Sequence, residues 1–361
     1  MKKTFQIFSI IIATIFFASS SFSFDLKGKT VTLFVPFGEG GGTDRLARLV
    51  AKNMETVLPG NPTVVVLNQP GGGSVKGSNK FYSSGAKDGT VVFMASSSTF
   101  NNQFFGSKKV KYDLNKLKVI SLNPRGAILY ANSQTTGAKG KNIVDDVKTL
   151  RSKSNLIVGG KTPAAGVLLD MTSMEILGIN HKAVFGLSTG KKRKAFLRGE
   201  TNINNDGTGV YRKKMKKGIA DGSVAPLVAY GYETKPGTLV RDPDYPNLPT
   251  VLEAYEQLNG KKLKGAALTA HIKLVSNKVT FSKAFFLQKG TSNKIVKTYI
   301  DAFKKLNSDP EFVKKYQKEM GPIKISYGKE AASMIKKGLK LDSSSKKWIS
   351  NFLSTKHDAK L

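Results

Sequence analysis

The sequence predicts a two-lobed α/β protein in which each lobe is built on a mostly parallel sheet with flanking helices. Two observations carry this prediction. Short apolar runs rich in Val, Ile and Phe alternate with longer segments of helical periodicity. This alternation occurs in two successive sets of similar size, so we expect two sheets that face a common cleft.

The first set supplies three strands and two helices. Its first strand ends in a glycine-rich turn, after which a helical pattern begins. The predicted elements are strands at residues 31–35, 64–67 and 90–95 and helices at residues 46–58 and 75–83. Short β-rich runs between helices imply a parallel sheet that is covered on both faces.

The second set leads into a helical C-terminal part. Strands are predicted at residues 128–131, 156–159, 183–185 and 225–230, and helices at residues 143–152 and 164–177. A proline-broken loop precedes a helix at 250–258, for which Thr250 and Glu253 form a capping box. An amphipathic helical tail, from residue 293 to about 318, is interrupted at Asp309 and Pro310.

The two sets divide the chain into lobes around a cleft, the place where open α/β sheets bind ligands. We expect residues 24–125 and about 225–290 to form the first lobe. Residues 126–224 and about 291–361, with the C-terminal helices, would form the second. Closure of two such lobes about a hinge would hold a ligand between them.

The chain has 361 residues, of which 40% are hydrophobic, and a formal net charge of +33. The apolar content supports a packed core and argues against disorder. The absence of cysteine excludes disulfides, thiolate catalysis and cysteine-based metal sites. Lysine predominates in the basic runs at 191–194 and 212–217, which have little aromatic interleaving. We interpret these runs as solvated faces, with contact to a polyanion or an anionic membrane as the alternative.

The N-terminus has the pattern of a secretory signal. Lys2 and Lys3 precede an apolar stretch at 7–18, and small residues follow at Ser21 and Ser23. We expect cleavage near Ser23 and export of the mature chain to the periplasm, with an uncleaved anchor as the alternative. The apolar stretch is short for a membrane span, and no later stretch is long and apolar enough to cross a bilayer.

The turn after the first strand, from Pro36 to Asp44, is the most informative segment. Glycines between a strand and a helix N-terminus present unpaired N–H groups at the positive end of the helix dipole, which is an anion site. The dinucleotide fingerprint fails because Thr43 stands where its last glycine is needed. Thr43 suits an N-cap or a hydroxyl donor to an anion. Asp44 either stabilises the helix with Arg48 or accepts a ligand's hydroxyl, amine or bridging water.

Three further turns follow predicted strands. The turn at 159–162 is similar to a phosphate loop, but Asn155 stands in place of its first glycine. A second anion loop, with Lys161 adding charge, is the better interpretation. The glycine-rich turn at 68–74 and the hydroxyl cluster at 96–99 are either parts of the cleft or ordinary connections.

The spacing of the polar residues indicates neither catalysis nor metal binding. The histidines, His181, His271 and His357, lack metal-ligand spacing and are expected at the surface or boundary. No serine elbow and no general acid–base pair is recognisable. The sequence therefore indicates a binding protein without a cofactor. A secreted enzyme acting on small anions and a basic polyanion-binding protein remain alternatives.

Several segments resemble, in order, the motifs of the tripartite tricarboxylate transporter substrate-binding proteins, the Bug-type periplasmic receptors. Residues 35–48 resemble the signature P-F-x-x-G-G-x-x-D-x-x-A-R, and residues 68–73 resemble N-x-P-G-x-G. Residues 87–90 and 197–200 are weaker matches. Residues 245–253 resemble the late motif F-P-D-V-P-T-x-x-E, so the resemblance spans nearly the whole mature chain.

The resemblance implies a receptor with a type II, periplasmic-binding-protein-like fold that captures a small carboxylate by hinge closure. The ligand would be a di- or tricarboxylate, an amino acid or an aromatic acid. The resemblance further implies delivery to membrane permease subunits, a monomeric state, no catalysis and no nucleic-acid partner.

Carried over by position, the resemblance implies ligand contacts from both lobes through backbone amides, hydroxyls and ordered water. The first-lobe positions are Phe37, Gly41, Gly42, Thr43, Asp44, Ser97 and Ser98. The second-lobe positions are Lys161, Thr162, Ala165, Ser188, Thr189, Asn205 and Asp206. None of these positions is implied as catalytic or metal-binding.

Overall fold

Two mixed sheets with flanking helices make up the fold in the computed structural model, which describes residues 24–235 and 237–360. A short two-stranded hairpin is paired separately. The segment predicted to be a secretory signal lies outside the described residues. Within the described ranges, no helix combines the length and the apolar character needed to cross a membrane.

Six strands, numbered along the chain, form the first sheet. They are β1 (Thr30–Val35), β2 (Thr63–Asn68), β3 (Val91–Ser96), β4 (Lys118–Asn123), β12 (Lys283–Leu287) and β13 (Ser326–Tyr327). Their spatial order is β13-β4-β12-β3-β1-β2. β1 runs parallel to β2 and β3, whereas β12 runs antiparallel to β3 and β4. The carboxyl ends of β1, β3 and β4 therefore share one edge of the sheet with Lys283, the first residue of β12.

Five strands form the second sheet. They are β5 (Ala127–Asn132), β6 (Ile157–Gly159), β7 (Lys182–Val184), β8 (Ile203–Gly207) and β9 (Val224–Ala229), and the separate hairpin is β10 (Tyr232–Lys235) with β11 (Thr238–Val240). The spatial order is β7-β6-β8-β5-β9. β6 runs parallel to β7 and β8, and β5 runs antiparallel to β8 and β9. The carboxyl ends of β6, β7 and β8 consequently lie along one edge.

The helices cover the faces of the sheets. They are α1 (Gly42–Met54), α2 (Val75–Ser84), α3 (Ser97–Phe104), α4 (Ser133–Thr136), α5 (Ile143–Arg151), α6 (Val167–Ile176), α7 (Thr189–Leu197), α8 (Thr208–Lys214), α9 (Lys216–Ala220), α10 (Val251–Asn259), α11 (Gly265–Val275), α12 (Asn293–Leu306), α13 (Pro310–Met320), α14 (Gly328–Gly338) and α15 (Ser343–His357). Local signals in the sequence set some of their ends. The capping box predicted for Thr250 and Glu253 begins α10, and Asp309 caps α13 with Pro310 at its first position.

Burial on both faces explains why β1 is an apolar run. Val31 and Val35 point to the face on which α1 packs, where they join the core that contains Leu46. Phe34 points to the opposite face and belongs to another core cluster, in which the rings of Phe81 and Phe93 stack at 4.6 Å. The predicted α/β fold with two sheets is confirmed, although antiparallel strands enter both sheets.

The chain crosses between the sheets at two adjacent segments. Residues 124–126 lead from β4 to β5, and a π-helical turn, Ser276–Thr280, leads into β12. The two crossings are tied together, because the backbone N–H of Arg125 donates to the carbonyl of Val279 at 3.0 Å. π-Helical turns are rare and occur frequently at functional sites.

The predicted lobe boundaries differ from this arrangement and need correction in the C-terminal half. Residues 225–290 were grouped with the first lobe, but β9 pairs with β5 in the second sheet and α10 packs on α5 and α6. Conversely, α12 and α14 pack against β4 of the first sheet. The apolar character of β9 predicts that the strand is buried, but it does not predict which strand, distant in the sequence, will pair with it.

Candidate functional site

The edges that carry the carboxyl ends of the parallel strands face each other, and we refer to the region between them as the cleft. Asn101, which follows β3, donates from its side chain to the carbonyl of Ala164, which follows β6, at 3.5 Å. A methyl group at Gly73, which follows β2, would lie 3.9 Å from the Nζ of Lys161. The cleft thus lies where open α/β sheets bind their ligands.

The loop after β1 is built around the carboxylate of Asp44. Its Oδ2 accepts hydrogen bonds from the N–H of Gly40 at 2.8 Å and from Nε of Arg48 at 3.0 Å. Its Oδ1 accepts from the side chain of Asn68 at 3.0 Å, and that amide also donates to the carbonyl of Phe37. Of the two interpretations of Asp44, the structure therefore shows the structural one.

The ionised state of Asp44 suits this role. The carboxyl group is buried, which by itself would raise its pKa. The hydrogen bonds from Arg48, Gly40 and Asn68 outweigh the burial, so the pKa lies below its ordinary value. The carboxylate of Asp44 is therefore hydrogen-bonded within the loop, and its negative charge does not oppose an anion at the first turn of α1.

The N-terminus of α1 leaves backbone donors free. Gly41 is the N-cap and has no side chain that could accept a hydrogen bond. The N–H groups of Gly42, Thr43 and Asp44 have no partner among the described residues. The side chain of Thr43 is buried, and its hydroxyl forms no hydrogen bond within the described part of the chain. These free groups lie where the sequence predicts an anion site, which stays a prediction.

Ser97 and Ser98 lie beside this loop, at the start of α3. β3 is the neighbour of β1, so the two turns share the cleft edge of the first sheet. The backbone N–H of Ser97 donates to the carbonyl of Ser282 at 3.3 Å. Ser98 is exposed.

The turns after β6 and β7 are joined on the second sheet. Gly186 donates its N–H to the carbonyl of Lys161 at 3.0 Å, and Leu187 donates to the carbonyl of Gly160 at 2.9 Å. This pairing brings several of the positions implied by the resemblance to one edge. They are the exposed residues Lys161, Thr162, Ser188 and Thr189 and the partly buried Ala165.

Asn205 and Asp206 are buried in β8, and their side chains are already engaged. Asn205 donates to the carboxylate of Asp170. Asp206 accepts two hydrogen bonds from Arg193, at 2.8 and 2.5 Å, and one from the hydroxyl of Tyr130 at 2.8 Å. These partners hold β8 in place, and the two side chains support the cleft from behind.

The sequence predicts that the basic run at 191–194 is a solvated face, but the structure shows that only part of it is exposed. Lys191 and Lys194 are exposed, but Lys192 is buried and donates to the carbonyl of Asn205 at 2.8 Å. Burial lowers the pKa of Lys192 to about 8. Arg193 forms the ion pair with Asp206. The reason is the helical period, which turns the two middle residues of the run toward β8.

Arg125 is a prominent residue of the cleft that sequence reasoning missed. Its guanidinium lies between the two lobes: a methyl group at Gly42 would be 3.5 Å from Nη1, and one at Gly207 would be 2.7 Å from Nε. The side chain is partly buried and donates no hydrogen bond to another described residue. Burial lowers the pKa of Arg125 below its ordinary value. Only its position between β4 and β5, at the crossing of the sheets, could have drawn attention to it.

Lys283 is a second missed residue. It is 5% exposed, and its Nζ donates to the carbonyl of Ser282 at 2.9 Å but reaches no carboxylate among the described residues. Burial, with the neighbouring charges of Arg125 and Arg45, lowers the pKa of Lys283 well below its ordinary value. The signal in the sequence is a single lysine at the head of the apolar run Lys283–Leu287.

The cleft can therefore hold an anion, and its composition does not indicate metal chemistry. The N-terminus of α1 offers free N–H groups beside Arg125, which, like Lys283, forms no ion pair within the described part of the chain. Among the described residues, no group of three or more His, Asp or Glu side chains is placed to hold a metal ion.

Comparison with known proteins bears on the fold of the chain. No protein-family model matches the chain. A 98-residue stretch is 35% identical to Protein BugT of Bordetella pertussis; this stretch covers 27% of the chain and 29% of BugT. The structure of the periplasmic binding protein BugD superimposes with a TM-score of 0.58 and 19% identity, covering 90% of the chain and 96% of BugD. The chain is thus similar to Bug-type proteins over less than a third of BugT and in its fold.

A second structure shows the same fold. A Rhodopseudomonas palustris protein, solved with adipate, superimposes with a TM-score of 0.62 and 18% identity, covering 90% of the chain and 96% of that protein. At these identities the superpositions establish the fold, which is the two-lobed α/β fold of the periplasmic binding proteins. The cleft of the chain lies between the two lobes of that fold.

Proposed function

We propose that the chain is a periplasmic solute receptor of a tripartite tricarboxylate-type transporter. It captures a small carboxylate between its lobes by hinge closure and delivers the ligand to membrane permease subunits. It acts by binding alone and has no catalytic role. Its predicted secretory signal supports a periplasmic location.

One observation carries this proposal. The free N–H groups of Gly42 and Thr43 open into the cleft beside Arg125, whose guanidinium lies against both lobes. Donors at a helix N-terminus and a guanidinium fork both match the two oxygens of a carboxylate. The fold that the chain shares with BugD and with the adipate-bound protein supports the same conclusion.

A thermal-shift screen of the purified chain tests the proposal. The panel contains malate, succinate, adipate, citrate, glutamate, aspartate and benzoate, each at millimolar concentration. We expect at least one carboxylate to raise the melting temperature by several degrees, because a ligand at about 100 times its Kd stabilises the folded state by about 3 kcal/mol.

Two controls separate this function from its alternatives. A polyanion-binding protein would be stabilised by heparin or DNA, with an affinity that falls steeply with salt. An enzyme would turn over a carboxylate or phosphate ester. The proposal fails if no carboxylate in the panel changes the transition, or if the stabilising compound is consumed.

A further inference from the structure

We propose that Arg125 and Lys283 bind the anionic groups of the ligand directly, so that the cleft selects dianions that carry no ammonium group. This inference rests on the proposed function and deepens it. It assigns the recognition of charge to two side chains, in addition to the backbone donors of the loops.

The two cations are close to each other and to the free donors of α1. Lys283 occupies the first position of β12, opposite Asn123 at the end of β4, and Arg125 follows two residues after Asn123. Burial is the main cause of the lowered pKa of Lys283, and the charge of Arg125 adds to it. A methyl group at Gly42, the first residue of α1, would lie 3.5 Å from Nη1 of Arg125. An anion at the N-terminus of α1 would consequently meet the guanidinium.

Neither cation forms an ion pair with a described residue, which distinguishes them from the other cations of the cleft. Burial lowers the pKa of Arg125, and the more distant charges of Asp206 and Glu319 offset only part of that effect. Arg45 pairs with Glu319 at 3.1 Å, Arg193 with Asp206, and Lys278 with Asp170 at 2.9 Å. Arg125 and Lys283 form no ion pair with any described residue. A buried cation without a counter-charge is costly, because water cannot solvate it fully. An anionic ligand removes that cost at both residues.

Four acids that line the cleft are already engaged by cations of the chain, and Glu39 of the first loop is exposed beside Arg48. Each of the four takes hydrogen bonds from its cation: Asp44 from Arg48, Asp170 from Lys278, Asp206 from Arg193 and Glu319 from Arg45. Asp242 is 1% exposed and lies against Gly126, where an added methyl group would clash with its carboxylate. An amino acid would therefore bring its ammonium group against Arg125 and Lys283.

Because Arg125 lies between the lobes, a ligand bound to it would also affect how closely the lobes approach each other. Arg125 belongs to the segment that connects the sheets, and its guanidinium contacts Gly42 in the first lobe and Gly207 in the second. An anion bound to it can accept hydrogen bonds from the N-terminus of α1 and lie against the start of α8. Binding of charge is thereby coupled to the approach of the lobes.

Calorimetric titration of the purified chain with succinate, aspartate, glutarate and glutamate tests this inference. Each dicarboxylate is matched with its α-amino counterpart, so the pairs differ by one ammonium group. We expect the dicarboxylate to bind at least 10-fold more tightly than its amino counterpart. Equal or tighter binding of aspartate or glutamate would overturn the inference, even though it would still support a carboxylate receptor.

Three variants test the residues, with Arg198→Gln as the matched control. Arg198 is exposed and pairs with Glu200, so its loss changes the net charge equally without touching the cleft. We expect Arg125→Gln and Lys283→Met to weaken dicarboxylate binding at least 30-fold, Arg125→Lys to weaken it less, and Arg198→Gln to leave it unchanged. Circular dichroism and thermal melting confirm that each variant folds.

The outcomes separate this inference from the proposed function. If folded Arg125→Gln binds the dicarboxylate with an affinity within threefold of the wild type, the inference is overturned but the proposed function stands. The absence of binding by the wild-type chain to every dicarboxylate would overturn both. If Arg125→Gln does not fold, the Arg125→Lys variant and the comparison of succinate with aspartate decide the matter.

Discussion

At the scale of single residues, Asp44 illustrates how an acid can lie beside an anion site without opposing it. Three hydrogen bonds, from Gly40, Arg48 and Asn68, hold its carboxylate against the loop. The spacing of Asp44 and Arg48 in the sequence predicted their ion pair, which the structure contains at 3.0 Å. The role of Asn68 was out of reach, because its contact depends on the pairing of β1 with β2.

His271 is a residue whose environment the sequence misjudged. It was expected at the surface or boundary, but it is fully buried in α11, and neither ring nitrogen has a hydrogen-bond partner among the described residues. Burial lowers the pKa of His271 to about 3, and burial also contributes most to lowering the pKa of His181 to about 4. Both histidines are therefore neutral in the folded chain at neutral pH.

This burial predicts a loss of stability in acid. The unfolded chain takes up protons on these histidines near pH 6.5, but the folded chain does so only near pH 4 and pH 3, so it binds fewer protons between these values. The contribution is complete above pH 6.5 and is lost as the pH falls. We expect the free energy of unfolding to fall by about 1 kcal/mol per pH unit for each histidine.

Urea unfolding at several pH values between 5 and 8 measures this effect. His271→Leu replaces an unpartnered buried ring by an apolar side chain of similar size, so it should unfold with a flatter pH dependence than the wild type. The interpretation of His271 is contradicted if the two proteins show the same slope below pH 6.5.

At the scale of elements, local signals predicted much of the fold. The strand–turn–helix units of the first lobe, the capping box of α10 and the Asp309–Pro310 break all follow from short patterns, and the structure contains them. β8 was missed because its sequence, INNDG, is polar although every residue is buried. The side chains of Asn205 and Asp206 in this strand are hydrogen-bonded to Asp170, Arg193 and Tyr130, which are distant in the sequence.

The same reasoning explains why half of the candidate site could be predicted. Glycine-rich turns after strands reveal the loops, because a helix N-terminus and its dipole are local features. No local sequence pattern marks Arg125 or Lys283 as a binding residue, since each is a single charged residue next to a strand or at its first position. Their significance comes from the topology, which brings the β4–β5 crossing and the start of β12 to the cleft edge.

Gly207 offers a test at this scale, because the turn between β8 and α8 must leave room for Arg125. A methyl group there would lie 2.7 Å from Nε of Arg125, so we expect Gly207→Ala to displace the guanidinium and weaken dicarboxylate binding about 10-fold. Gly190→Ala is the matched control, since a methyl group at Gly190 meets no heavy atom within 4 Å. Equal losses in the two variants, measured by calorimetry, would contradict this role of Gly207.

At the scale of the whole molecule, two adjacent crossings between the sheets carry Arg125 and Lys278, and a third connection leads from α14 to α15. Arg125 lies in one crossing, Lys278 in the other, and Lys283 follows directly after the second. The backbone hydrogen bond from Arg125 to Val279 links the crossings, and Lys278 donates to Asp170 and Gly166 of the second lobe. A ligand bound at Arg125 would consequently lie beside the segments that connect the two sheets.

The central claim is that the cleft binds one small carboxylate between the lobes. Calorimetric titration of the purified chain with succinate, malate, adipate and citrate, at low and at high salt, tests it most directly. The account predicts saturable binding of one molecule per chain for at least one of these acids, with an affinity that salt changes only modestly. Failure of all four to bind, or binding of several equivalents that weakens steeply with salt, would contradict it.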